Sequence, residues 1–92
     1  RWCFVNMRKA SVVIGRGEAD INIPHPVISR KHARLESDGH QTTISDLGSS
    51  SGTYVNGTPC LEGEVMYIDT EDELVLGDLP VRFSFISREA MP

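Results

Sequence analysis

Two short polar stretches carry the side chains best suited to holding an anion. The first reads Pro24-His25-Pro26-Val27-Ile28-Ser29-Arg30-Lys31-His32. Two prolines stiffen its start by fixing φ. It then presents a hydroxyl, a guanidinium and an ammonium in consecutive positions. The second is Gly48-Ser49-Ser50-Ser51-Gly52, three hydroxyls between two glycines. Glycines let the backbone turn sharply and expose its N–H groups. Arg16 closes the run Ser-Val-Val-Ile-Gly-Arg and is the third element. Arginine binds two phosphate oxygens in a fork. Serine donates to a third oxygen, and a compact turn aims amides at the anion. The chemistry that these residues suit is recognition of a phosphate dianion.

Charge is distributed to match. The 92 residues carry a net charge of −4, which argues against general nucleic-acid binding. Residues 1–34 hold seven of the nine Lys and Arg and only Glu18 and Asp20, a net of +5. Residues 35–92 hold Arg82 and Arg88 against eleven acids, a net of −9. An anion site must therefore draw its cations from the first third. Asp69, Glu71, Asp72 and Glu73 read as an exposed acidic loop.

The elements that position these loops read as short strands. Trp2 to Asn6, Ser11 to Arg16 and Asp20 to Ile23 come first. Ala33 to Glu36 and Gln41 to Leu47 flank a Ser37-Asp38-Gly39-His40 turn signal. Thr53 to Val55 is followed by Asn56-Gly57, which supplies the φ > 0 residues of a tight hairpin. Glu64 to Ile68, Glu73 to Leu76 and Val81 to Ile86 complete nine or ten strands. In the last, Val81, Phe83 and Phe85 face one way. Sustained 3.6-residue apolar periodicity is absent, so no helix is required. The pattern predicts an all-β, antiparallel sandwich in one domain over residues 1–92, with connecting loops at its two ends.

In this order and spacing the motifs resemble the forkhead-associated (FHA) domain. The matching residues are Gly15-Arg16, Ser29-Arg30-Lys31-His32 and Asp46-Leu47-Gly48-Ser49-Ser50-Ser51-Gly52-Thr53-Tyr54-Val55-Asn56-Gly57. Val75-Leu76-Gly77 and Phe83-Ser84-Phe85 fit the family's closing strands. The resemblance covers residues 2–86. It implies a sandwich of about eleven strands that binds phosphothreonine peptides at one end, with no catalysis and no cofactor. It gives Arg16, Ser29 and Ser50 the phosphate, and Arg30, Lys31 and Ser51 the phosphopeptide. Ser51 stands where many members have Asn, which holds the peptide backbone; serine is shorter and lacks the two-donor amide. His32 is expected to brace its loop from a partly buried position, and Asp46 to accept hydrogen bonds within its turn. Gly15, Gly52, Asn56 and Gly57 are expected to be backbone devices.

Other readings are weaker. Gly48-Ser49-Ser50-Ser51-Gly52 matches the G-x-S-x-G nucleophile elbow, but that motif needs a strand–turn–helix in a much larger fold. Asn56-Gly57-Thr58 is a formal glycosylation sequon, which the hairpin reading displaces. His25, His32 and His40 with Cys3 and Cys60 fit no common metal spacing, and two free buried thiols are expected. No apolar run approaches the ~18 residues of a membrane span. No signal peptide is visible, so a cytoplasmic and, for the isolated domain, monomeric protein is expected. The alternative function is a phosphate-independent interaction or assembly module using a sheet face or an edge strand.

Overall fold

The computed structural model of the chain describes residues 3–7, 11–38, 40–69 and 71–85, with residues 3–7 and 82–85 described by backbone alone. Ten strands form among them. They are β1 (Cys3–Met7), β2 (Ser11–Gly15), β3 (Ile21–Asn22), β4 (Ala33–Ser37) and β5 (Thr42–Asp46), then β6 (Thr53–Val55), β7 (Thr58–Pro59), β8 (Val65–Ile68), β9 (Leu74–Leu76) and β10 (Leu79–Phe85). One sheet runs β1-β10-β9-β6-β7 and the other β3-β2-β4-β5-β8.

Alternation within each strand builds the core. Val12 and Ile14 of β2, Leu35 of β4 and Ile44 of β5 face inward from one sheet; Val55, Leu74, Leu76 and Val81 face them from the other. Each such aliphatic side chain, once buried, contributes about 1.5–3 kcal/mol. The outward positions of β4, Arg34 and Glu36, are exposed, as a sheet with one wet face requires.

The expected sandwich is present, and every strand read from the sequence appears within two residues of its limits. Two pairings differ from a purely antiparallel arrangement. β1 runs parallel to β10, with Cys3 opposite Val81 and Met7 opposite Phe85. β2 runs parallel to β3 over two residues. Strand order follows from which edges are left when the hairpins have closed, and alternation within a strand carries no record of it. The Asn56-Gly57 turn has φ of 51° and 83°, and it returns the chain into the two-residue strand β7. Cys60 is a free, buried thiol, and burial pushes its pKa up. The side chains of Cys3, Phe83 and Phe85 lie outside the described residues.

Candidate phosphopeptide-binding site

The inward row of β5 is Thr42, Ile44 and Asp46. The period-two pattern therefore delivers a carboxylate into the end of the core. Asp46 is buried and accepts four hydrogen bonds. The Ser49 hydroxyl (2.6 Å) and the Thr53 hydroxyl (2.7 Å) reach Oδ1, and the amides of Gly48 (3.0 Å) and Ser49 (2.9 Å) reach Oδ2. Burial pushes the Asp46 carboxyl up, and these donors outweigh it and hold it below its ordinary value. Thr53 belongs to the opposite sheet, so this carboxylate joins the layers at the site end. Ser49 Oγ also accepts from the Gly52 amide at 2.9 Å, which closes the 48–52 turn. Gly48 and Gly52 have φ of 79° and 92°, values open to glycine.

The 24–32 loop is set against this turn by His32. Its ring is fully buried. The Ser29 amide donates to Nδ1 at 3.1 Å, so Nδ1 carries no hydrogen. The proton must then sit on Nε2, which donates to the Gly52 carbonyl at 2.8 Å. The same carbonyl accepts the Gly77 amide at 2.8 Å, from the turn between β9 and β10. The His32 amide donates to the Ile14 carbonyl and its carbonyl accepts from Leu47, which extends the β2-β4-β5 ladder past the strand ends. His32 is thus the brace that the sequence led one to expect, with deeper burial.

Arg16, Ser29 and Ser50 meet at this end. The Ser50 amide donates to Ser29 Oγ at 3.0 Å. The Arg16 amide donates to the Ser29 carbonyl at 3.0 Å, and its Nε to the Ile28 carbonyl at 2.9 Å. The two terminal nitrogens of Arg16 lie beyond this bond, on the side chain that lines the cleft described next. Gly15 makes the approach possible. A Cβ there would lie 1.8 Å from the carbonyl oxygen of Arg30. Arg16, Arg30 and Lys31 then line an open cleft of about 360 Å³ together with Gly17 and Glu18. Three cations against one carboxylate give the lining a formal +2, which matches the −1.5 to −2 of a phosphomonoester.

Ser51 bridges the two loops. Its hydroxyl donates to the Val27 carbonyl at 2.7 Å, which ties the two loops together. Asn56 does more than set a turn. Its side chain accepts from the Glu73 amide at 2.8 Å and donates to Asp72 at 3.1 Å, which pins the acidic loop. Sequence reasoning passed over Ser49, Thr53 and Gly77. For Ser49 a signal existed, since an Asp three residues before a Ser at the mouth of a Gly-flanked loop is an Asx-turn pattern. The long-range partners Thr53 and Gly77 had none.

His32 and Asp46 do not form a hydrolase triad with Ser50. Both nitrogens of His32 are engaged with backbone groups, and Asp46 bonds to Ser49 and Thr53. Strands β5 and β6 flank Ser50 where a nucleophile elbow needs a helix. Among the described residues, no group of His, Cys, Asp and Glu is arranged to hold a metal ion, and no helix is long and apolar enough to cross a membrane.

The FHA domain family model matches residues 12–77, the stretch that contains both loops and Arg16. This chain belongs to the FHA domain family. The family is a non-catalytic interaction module that binds phosphothreonine peptides. The domain is 37% identical over 60 residues to the FHA domain-containing protein FhaA of Mycobacterium tuberculosis, covering 64% of this chain and 11% of that protein. It is 33% identical over 73 residues to the oxoglutarate dehydrogenase inhibitor of Corynebacterium jeikeium, covering 79% of this chain and 49% of that protein. This FHA domain thus spans half or less of the length of these relatives. A solved FHA domain studied for its phosphothreonine-dependent interactions superposes with a TM-score of 0.70 at 33% identity, over 78% of this chain and 73% of its own.

Proposed function

We propose that this domain binds threonine-phosphorylated segments of partner proteins through Arg16, Ser29, Arg30, Lys31 and the Ser50 end of the 48–52 turn, as a cytoplasmic adaptor that performs no chemistry. The observation that carries the reading is the 3.0 Å contact of the Ser50 amide with Ser29 Oγ. It brings the backbone of Ser50 against the Ser29 hydroxyl, at the end where the Arg16 amide meets the Ser29 carbonyl. The Ser29 hydroxyl accepts in that contact and keeps its own hydrogen for an outside oxygen. Ser51 contributes as a brace that holds the turn against the 24–32 loop.

Four charge-assisted hydrogen bonds to phosphate supply on the order of 6–12 kcal/mol gross, at roughly 1.5–3 each. Association costs an estimated ~4–15 kcal/mol. Phosphate alone therefore binds weakly, and residues beside the phosphothreonine must add affinity and select sequences. Roughly micromolar binding is expected, about −8 kcal/mol.

Calorimetric titration of an oriented phosphothreonine peptide library tests the reading. Arg16→Ala and Ser29→Ala should each weaken the best peptide at least tenfold while the circular dichroism spectrum stays unchanged. The unphosphorylated peptide should also bind at least tenfold less well. Equal affinity in both variants would remove the proposed site.

A further inference from the structure

Edge strands expose unpaired N–H and C=O groups, and proteins shield them by shortness, Pro, Lys or cover. Two of the four sheet edges here are managed in these ways: β3 has two residues, and β7 has two and contains Pro59. β1 is described by its backbone alone. The remaining edge is β8. It has four residues, Val65-Met66-Tyr67-Ile68, and no Pro or Lys.

Its inward residues Met66 and Ile68 pack on the core. Its outward residues do not. Val65 is 59% exposed and Tyr67 69%, and Leu61 just before the strand is 58% exposed. These are the large apolar side chains most exposed to water among the described residues. Opposite them on β5 stand Ser45 and Thr43, small side chains that leave room over the face.

The electrostatics select an occupant. Between residues 35 and 81 there is no Lys or Arg. The exposed acids Glu62 and Glu64 precede β8, and Glu71 follows it. A second copy paired edge to edge would bring the acids at one end of β8 against the acids at the other end of its partner's β8. A basic segment meets no such repulsion.

We propose that β8 is a second binding surface, which takes an extended, basic and apolar segment of a partner protein as an added strand. Backbone groups of the edge supply the ladder, Leu61, Val65 and Tyr67 accept alternate apolar side chains, and the flanking acids accept Lys or Arg between them. This surface needs no phosphate and uses no residue of the phosphopeptide site.

The probe is an acetylated peptide, Lys-Val-Lys-Val-Lys-Tyr-Lys, titrated into the whole domain and followed by amide chemical shifts. Shift changes should centre on β8 and β5 and saturate. The same peptide with Glu for Lys should give no such shifts. Val65→Ala/Tyr67→Ala should weaken binding at least tenfold, and Glu64→Lys at least threefold at low salt. Phosphopeptide binding by the same variants reports that they are folded. The proposal is overturned if the basic peptide leaves β8 unperturbed, or if the double alanine variant binds it as tightly. It is also overturned if sedimentation shows a dimer that Val65→Ala/Tyr67→Ala dissolves, because the occupant is then a second copy. Loss of phosphopeptide binding with β8 binding intact would instead strike the reading of the other site.

Discussion

Replacing His32 by alanine should cost this domain about half its stability, because the ring is a structural crosspiece with two committed ends. The variant leaves the part-buried Ser29 amide without its acceptor, which costs about 1–3 kcal/mol. The Gly52 carbonyl keeps the Gly77 amide, so its loss is the smaller ~0.5–1.5 kcal/mol of one net hydrogen bond. A residual void of about 50 Å³ adds ~1.2 kcal/mol at ~24 cal/mol per Å³. Together these reach about 3–6 kcal/mol, against ~5–14 kcal/mol for a domain of this length. Urea unfolding followed by circular dichroism measures the difference, with an unchanged slope marking a native-state effect. A long-range nitrogen–proton correlation of the imidazole should place the hydrogen of the wild-type ring on Nε2. A loss below 1 kcal/mol, or a hydrogen found on Nδ1, would refute the bracing argument.

Three other outcomes follow from the same geometry. Asp46 has a folded-state pKa below its unfolded value, so its contribution is fully present above about pH 4 and is lost as pH falls through the folded value. Asp46→Asn should lower the urea midpoint at pH 7 by the equivalent of ~2 kcal/mol or more, and should flatten the decline between pH 4 and pH 2. Gly15→Ala would press a methyl group into the Arg30 carbonyl, so unfolding should show a loss of about 3 kcal/mol or more, accompanied by weaker phosphopeptide binding. Affinity for the phosphopeptide should fall as salt rises from 50 to 500 mM, and below about pH 6, where the phosphate loses its second charge; a flat calorimetric response to both would exclude a charge-based site.

Much of this was legible because turn chemistry is local. Asn56-Gly57 announced a hairpin, and the Gly48 and Gly52 pair announced a bent, amide-rich loop, since only certain residues adopt φ > 0. Asp46 was legible as an acceptor within its turn, and the turn donors Gly48 and Ser49 bear that out. What stayed hidden depends on which distant segments touch. Ser51 reads as the residue at the family's peptide-holding position, and only the approach of Val27 shows that it also ties the two loops together. Gly15 reads as a strand terminator, and only the approach of Arg30 shows why a side chain is barred there. The parallel partners of β1 and β3 were hidden for the same reason, because pairing direction is decided by sheet closure and not by the strand's own residues.

The Gly52 carbonyl, held by His32 from one sheet and by Gly77 from the other, has a kinetic corollary. A receptor whose contact atoms are already fixed has little to rearrange on encounter, so different phosphorylated targets should be captured at similar speeds, governed by diffusion and long-range attraction. Discrimination among them then resides in how long each one stays.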